Sequence, residues 1–459
     1  MQKWKILNAT FALVFGVLGI SSHAEAMRRL LRELSPHPCF PRRVVAFEGK
    51  VVTLSAQPEE GIVFQLMPGT ATAWGVSWHL SSLRLLVVPA SVEILGARCF
   101  SYWQSLSHIA FESGSQLRIL RESAFAYSRL QSICIPSSTE RLERKCFAYC
   151  PLLSSVTFEK DARLQVLEES AFQASCIRSM RIPTSVRVLE ARCFSECRLL
   201  SSVIFEAPSQ LQAMGEGAFA YSNVRSILVP ASVETLGAKC FRGCQLLSCI
   251  TFEPGSHLTS VGEQAFLRSG LRSFALPASV GVMGAWCFSE CPSLAAFAFA
   301  DHAQLTRIER GTFANSHLSS ICIPASVETL GAWCFYGCRS LSVTTFAPGS
   351  QLSDIEGRAF SNSGLRSLAL PMSVQIVGST CFECCRSLRS VTFEPGSQLE
   401  RIAASAFSGS PQVWVVLPNG ESYSVGQLHR GWTSRSVRNS RRHDSPLHGG
   451  SSQVMGGGL

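Results

Sequence analysis

The chain has 459 residues, 46% hydrophobic and 16% charged, which excludes global disorder and leaves enough apolar material for a sizeable core. The formal charge of +9 sits at the ends: 1–26 carry +1, 27–50 carry +4 and 430–459 carry +4, so residues 51–429 are neutral. A basic stripe along the body, the footprint of a nucleic-acid binder, is therefore not indicated.

Residues 1–26 read as a secretory signal. "MQKWK" is a short basic start, Ile6 to Ile20 is apolar apart from Asn8 and Thr10, and Ala24 and Ala26 supply small residues for cleavage before Met27. The apolar run is short for a span, which needs about 20 residues. The competing reading is an intracellular chain whose true start is Met27. Residues 27–82 form an extension with a degenerate capping coil, aligned so that Phe64 falls on Phe111 and Trp78 on Phe125.

From residue 83 a period takes over. Pro89, Pro136, Pro183, Pro230, Pro277, Pro324, Pro371 and Pro418 are each 47 residues apart. The Cys-Phe pairs ending at Phe100, Phe147, Phe194, Phe241, Phe288, Phe335 and Phe382 keep the same interval. A second phenylalanine column, Phe125 through Phe407, divides each unit into halves of 25 and 22 residues. Length alone would allow about three domains, but a stack of repeats grows along one axis without starting a new core.

Each half holds an L-x-x-Φ-x-Φ run, "LSSVTFE" at Leu153 or "LRSLALP" at Leu365. A strand there turns alternate residues inward. Proline ends it, because it has no N–H to give and disfavours helix before it. Segments such as "SVETLGAKCF" then bring the chain back with Leu, Cys and Phe inward. The expected fold is a β-rich α/β solenoid: a right-handed leucine-rich repeat coil, a parallel concave sheet, and short helical or 3-10 returns. Seven double repeats fill 83–418, and 419–459, rich in Ser, Gly and Arg, reads as a disordered basic tail.

The combined motif L-x-x-Φ-x-Φ-P-x-S-V-x-x-Φ-G-x-x-C/A-F-x-x-C/S resembles the BspA-like family of leucine-rich repeat proteins over about Leu83 to Pro418. The resemblance implies a secreted or surface-exposed protein of adhesin type, with no catalytic residues to carry over. The family usually reads Ala-Phe-x-x-Cys. Here one half has Cys-Phe-x-x-Cys and the other Ala-Phe-x-x-Ser.

The 19 cysteines all follow Ala26. Cys150, Cys197, Cys244, Cys291, Cys338 and Cys385 recur at one position, with Ser128, Ser175, Ser222, Ser269, Ser316, Ser363 and Ser410 at the matching position of the other half. Equivalent cysteines two coils apart lie about 9–10 Å apart, beyond the ~7 Å that a disulfide spans. They read as small buried thiols filling space as alanine would. Cys39, Cys176, Cys249 and Cys384 break the pattern and are the candidates for scattered disulfides. The uniform C-x₃-C spacing is joined by no histidine, so neither a metal site nor a cofactor is expected.

Binding residues are expected on the exposed strand faces. Ser155, Thr157, Ser202, Ser226 and Thr251 represent a small, hydroxylic, almost uncharged surface suited to a protein or glycan partner. Charge is expected at the rims: Arg178, Arg225 and Arg272, with Arg84 and Arg366, at strand starts, and Glu112, Glu159, Glu206, Glu253 and Glu394 at strand ends. Trp286 and Trp333 occupy an outer column that is basic in earlier repeats. No dinucleotide, P-loop, zincin or nucleophile-elbow motif occurs. The expected function is non-enzymatic recognition outside the cell, with an intracellular scaffold or effector as the alternative.

Overall fold

The computed structural model describes residues 44–47, 50–57, 61–65, 72–73, 83–88 and 90–428. The expected leader, Cys39, Trp78 and the chain from 429 lie outside the described residues. The described residues fall into two compact units, the chain up to Leu305 with Gly311–Leu318, and Thr306–Arg310 with the chain from Ser319. Each is a parallel-strand β-solenoid.

In the first unit every coil opens on a short strand. Ser155–Phe158 reads exposed, buried, exposed, half-buried, and Ser179–Ile182 alternates exposed and buried. The period of two sends Val156 and Met180 into the core. A second, two-residue strand follows, such as Val166–Leu167, pairing in parallel with Arg141–Leu142 and Val188–Leu189. Its leucine is fully buried in all three.

The expected helical or 3-10 returns are absent from 90–424; turns occupy them. Two left-handed residues flank each central phenylalanine from Phe100 to Phe382. Lys145 (φ 56°) and Tyr149 (φ 57°) bracket Phe147, and Arg192 (φ 58°) and Glu196 (φ 59°) bracket Phe194. A left-handed residue stops a right-handed helix. The N–H groups that a helix would spend internally go to the next coil: Phe147 donates to Ala171 O at 2.7 Å and Phe194 to Ala218 O at 2.7 Å. Gly217 and Gly311 take the left-handed conformation in their coils without the Cβ cost.

Those inter-coil bonds stack the phenylalanines. Phe100, Phe125, Phe147, Phe172, Phe194, Phe219, Phe241, Phe266, Phe288 and Phe313 form one ladder, with centroids 5.0–5.8 Å apart and planes within 14°. All ten are fully buried.

The strand sheet is built of doublets. Ser132–Ile135 pairs with Ser155–Phe158 at all four residues, as Ser179–Ile182 does with Ser202–Phe205. Between doublets only the first residues pair, Ser155 with Ser179 and Ser202 with Ser226. Proline explains the alternation. Pro183 follows Ile182 and has no N–H to continue a ladder back to Ser155–Phe158. The strand Ser155–Phe158 is instead followed by Glu159, whose N–H donates to Ile135 O at 2.9 Å.

The N-terminal end carries an antiparallel meander, Val44–Phe47, Lys50–Gln57 and Gly61–Gln65, the last pairing in parallel with Leu83–Val88. A register shift at Ile62/Val63 places Phe64 beside Leu86, which pairs with Ile109. Phe64 is thus two residues out of step with Phe111.

The second unit repeats the plan with Ser320–Ile323, Val343–Phe346, Ser367–Leu370, Ser390–Phe393 and Trp414–Val416. Its phenylalanines Phe335, Phe360, Phe382 and Phe407 stack at 5.2–5.6 Å. Regular structure continues past Pro418: Ser422–Ser424 pairs antiparallel with Trp414–Val416, and Val425–Leu428 is a short helix. Among the described residues no helix is long and apolar enough to cross a membrane.

Candidate binding face and cleft

Strand alternation puts Ser155, Thr157, Ser226 and Thr251 on the exposed face of the first unit, with Ser202 half-buried beside them. Register brings them into columns: Ser155 lies beside Ser132 and Ser179, Ser226 beside Cys249, and Thr251 beside Leu228. Arg181 is the one formally charged residue that these strands turn outward.

The two rims differ. Arg178, Arg225 and Arg272 are exposed, and among the described residues their guanidinium groups make no ion pair or hydrogen bond. The acidic column has intramolecular work. Glu112, Glu159 and Glu253 accept from the N–H of Ala90, Ser137 and Ala231 at 2.9–3.1 Å, each next to a repeat proline in the preceding coil. These carboxylates cap the strand ends that proline leaves open. Sequence reading had placed them only as rim charge.

Trp286 and Trp333 are half-buried. Trp286 lies over Gly311, where an added Cβ would come within 2.2 Å of the ring. In the second unit Trp333 carries Arg358 at 4.9 Å and packs against Tyr336 at 4.9 Å. Both indoles therefore have packing roles.

A second aromatic column was missed. Tyr102, Tyr127 and Tyr149 stack at 4.7 and 4.8 Å, with planes within 6°, and all three are exposed. The signal was Phe-x-Tyr at Phe100, Phe125 and Phe147. The tyrosine is the left-handed residue after each core phenylalanine.

The repeated cysteines are free and buried, but they do more than fill space. The thiols of Cys150, Cys197, Cys244, Cys291 and Cys385 donate to a phenylalanine carbonyl of the preceding coil at 3.0–3.1 Å. The alternating serines lie 3.3–3.6 Å from these sulfurs. Replacing Cys244 by Val removes the donor and adds one methyl group to a fully buried position. Phe219 O retains the Ser222 N–H at 3.0 Å, so Cys244→Val should cost only about 1 kcal/mol, measured by chemical denaturation. Equal stability of wild type and variant would return these thiols to pure packing.

Where two doublets part, the face opens. A cleft of about 610 Å³ lies between Ser155–Phe158 and Ser179–Ile182, with Lys160, Asp161, Thr184 and Glu206 on its walls. Half-buried Phe158 is among its lining residues. The expected residues Ser155 and Thr157 line it; Ser202, Ser226 and Thr251 do not. Among the described residues no group of three His, Cys, Asp or Glu side chains is placed to hold a metal.

A family model described as "BspA type Leucine rich repeat region" matches residues 77–201, 165–295, 212–342 and 306–422. Solved structures are similar at low identity. A leucine-rich repeat protein from Bacteroides ovatus is 20% identical, with 81% of this chain and 94% of that one covered and a TM-score of 0.46. The pneumococcal vaccine antigen PcpA is 14% identical, with 77% and 93% covered and a TM-score of 0.39. A leucine rich cell surface protein from Faecalibacterium prausnitzii is 17% identical, with 78% and 96% covered and a TM-score of 0.34. No curated protein matches the chain.

Proposed function

Because the chain belongs to the BspA-type leucine-rich repeat family, we propose that it is a secreted or cell-surface recognition protein that acts by binding a protein or glycan, without chemistry of its own. The observation that carries this is the exposed strand face. Its side chains are small, mostly hydroxyl-bearing or aliphatic, and nearly uncharged. Stacked repeats make such faces into extended binding surfaces, and small side chains allow a partner to approach the backbone closely. The basic start, apolar run and small-residue site of 1–26 support export. Adhesion is the role that fits a binding face on an exported chain.

Fractionation of producing cells and medium, with N-terminal sequencing of the recovered chain, tests the export half. The expected product is an extracellular chain that begins at Met27. A soluble intracellular chain that begins at Met1 would remove the adhesive role and move the search to cytoplasmic partners.

A further inference from the structure

In a repeat protein each coil has internal copies of itself, so a coil that departs from them stands out. The segment after each strand ending in Phe-Glu usually reads Pro-Gly-Ser-Gln, or close to it, as at Pro254–His257 and Pro395–Gln398. At 160–163 it reads Lys-Asp-Ala-Arg. Asp161 there takes the left-handed conformation (φ 60°) that Gly255 and Gly396 hold elsewhere (φ 76° and 81°). In the next coil Arg181 stands where other repeats have Val87, Cys134, Leu228, Ala275, Cys322 or Ala369. Thr184 stands where Ala90, Ala231, Ala278 and Ala325 recur. Lys160, Asp161, Arg181 and Thr184 come from two coils and all line the cleft of about 610 Å³.

Most polar side chains of that cleft are unspent. Among the described residues the side chains of Ser155, Thr157, Ser179, Arg181, Thr184 and Glu206 make no hydrogen bond or ion pair. Neighbouring hydroxyls behave differently: Ser154, Ser201 and Ser248 donate to carbonyls of the previous coil at 3.2–3.3 Å, and Ser185 donates to Leu164 O at 2.8 Å. The repeat ties down the serines just before its strands and leaves the outward-facing hydroxyls, those of the cleft included, available.

We infer that the cleft between Ser155–Phe158 and Ser179–Ile182 binds a neutral oligosaccharide. This rests on the recognition role proposed above and assigns it a site and a ligand class. Three observations select the class. The volume lies within the roughly 300–1,000 Å³ of small-molecule sites. The charges nearly balance: Lys160 and Arg181 oppose Asp161, Glu206 and Glu159, and one Glu159 oxygen is held by Ser137 N–H, so the site favours neither a cation nor an anion. Sugar hydroxyls both donate and accept, and the walls offer hydroxyls that do both, a guanidinium fork that donates and carboxylates that accept. Half-buried Phe158 supplies apolar surface for a ring's C–H face.

The test uses the full chain on a printed array of defined neutral oligosaccharides, with sialylated and sulfated members for comparison. The expected result is binding to at least one neutral oligosaccharide that survives 1 M NaCl. Arg181→Leu, which installs the residue of the Leu228 repeat, should weaken that binding at least ~10-fold, about 1.4 kcal/mol. Val282→Ala, at an exposed aliphatic residue on the two-residue strand Val282–Met283 of the other sheet, should leave it unchanged. A silent array overturns the inference, as does salt-sensitive binding to charged glycans only, or an Arg181→Leu chain that binds like wild type. An extracellular chain with a silent array would leave the recognition role standing and remove this ligand class. A chain retained inside the cell that still binds neutral oligosaccharide would do the reverse.

Discussion

Phe219→Ala is expected to destabilise the first unit by roughly 3–5 kcal/mol, the range for removing a buried aromatic side chain from a packed core. Phe219 is fully buried between Phe194 at 5.4 Å and Phe241 at 5.3 Å, with planes within 9°. The substitution takes away the transfer energy of the ring, opens a cavity, and ends two stacking contacts, each worth about 0.5–1.5 kcal/mol beyond area. Coils touch only their neighbours, so loss at mid-ladder weakens both flanking interfaces. Guanidinium unfolding followed by circular dichroism should show an earlier transition that is also broader, as the halves of the ladder uncouple. Phe219→Leu should recover most of the loss. A Phe219→Ala midpoint within about 1 kcal/mol of wild type, a typical surface effect, would mean that the ladder is incidental to stability.

Thiol labelling should divide the cysteines sharply. Cys134, Cys249 and Cys322 are exposed, Cys176 and Cys384 half-buried, and the remaining thirteen described cysteines buried. The thiolate is the reacting form. Burial pushes Cys150, Cys244 and Cys291 from the ordinary 9.0 to about 11, and Cys197 to about 12. Two units leave ~100-fold less thiolate near neutral pH, before any loss of access. Iodoacetamide on the native chain at pH 8, read peptide by peptide, should label the three exposed cysteines and spare the buried thirteen. The sign of the pH dependence follows. A folded-state pKa above the unfolded one stabilises fully below pH 9 and progressively less as pH rises towards 11. Buried labelling should therefore appear at alkaline pH together with unfolding. Uniform labelling at pH 8, or a bridge between any of Cys176, Cys249 and Cys384, would contradict this arrangement.

The coil was legible because its causes are local and repeated. Pro183 and its equivalents had to end strands, and Phe172 and Phe194 at fixed intervals had to share one column. Three features were less legible. Helical or 3-10 returns were expected as part of the leucine-rich repeat coil; left-handed residues such as Lys239 (φ 57°) forbid them, and a lysine does not advertise that conformation as glycine does. The acidic column looked like rim charge because a carboxylate's partner here is a backbone N–H about 22 residues away, as for Glu159 and Ser137. The cleft was half visible. Ser155 and Thr157 were chosen for facing outward, but the gap beside them depends on which strands a proline leaves unpaired.

The doublet also sets the step by which such a chain can change length. Removing or adding 47 residues leaves every proline-ended strand with the same two neighbours it has now. Removing 23 or 24 would place two proline-ended strands side by side, each without the N–H needed to complete a ladder. Duplication or loss of the corresponding coding segment in whole doublets thus preserves this pairing pattern. A lineage that lengthened or shortened this face would do so in increments of two coils, gaining or losing one gap of the kind that holds the cleft each time.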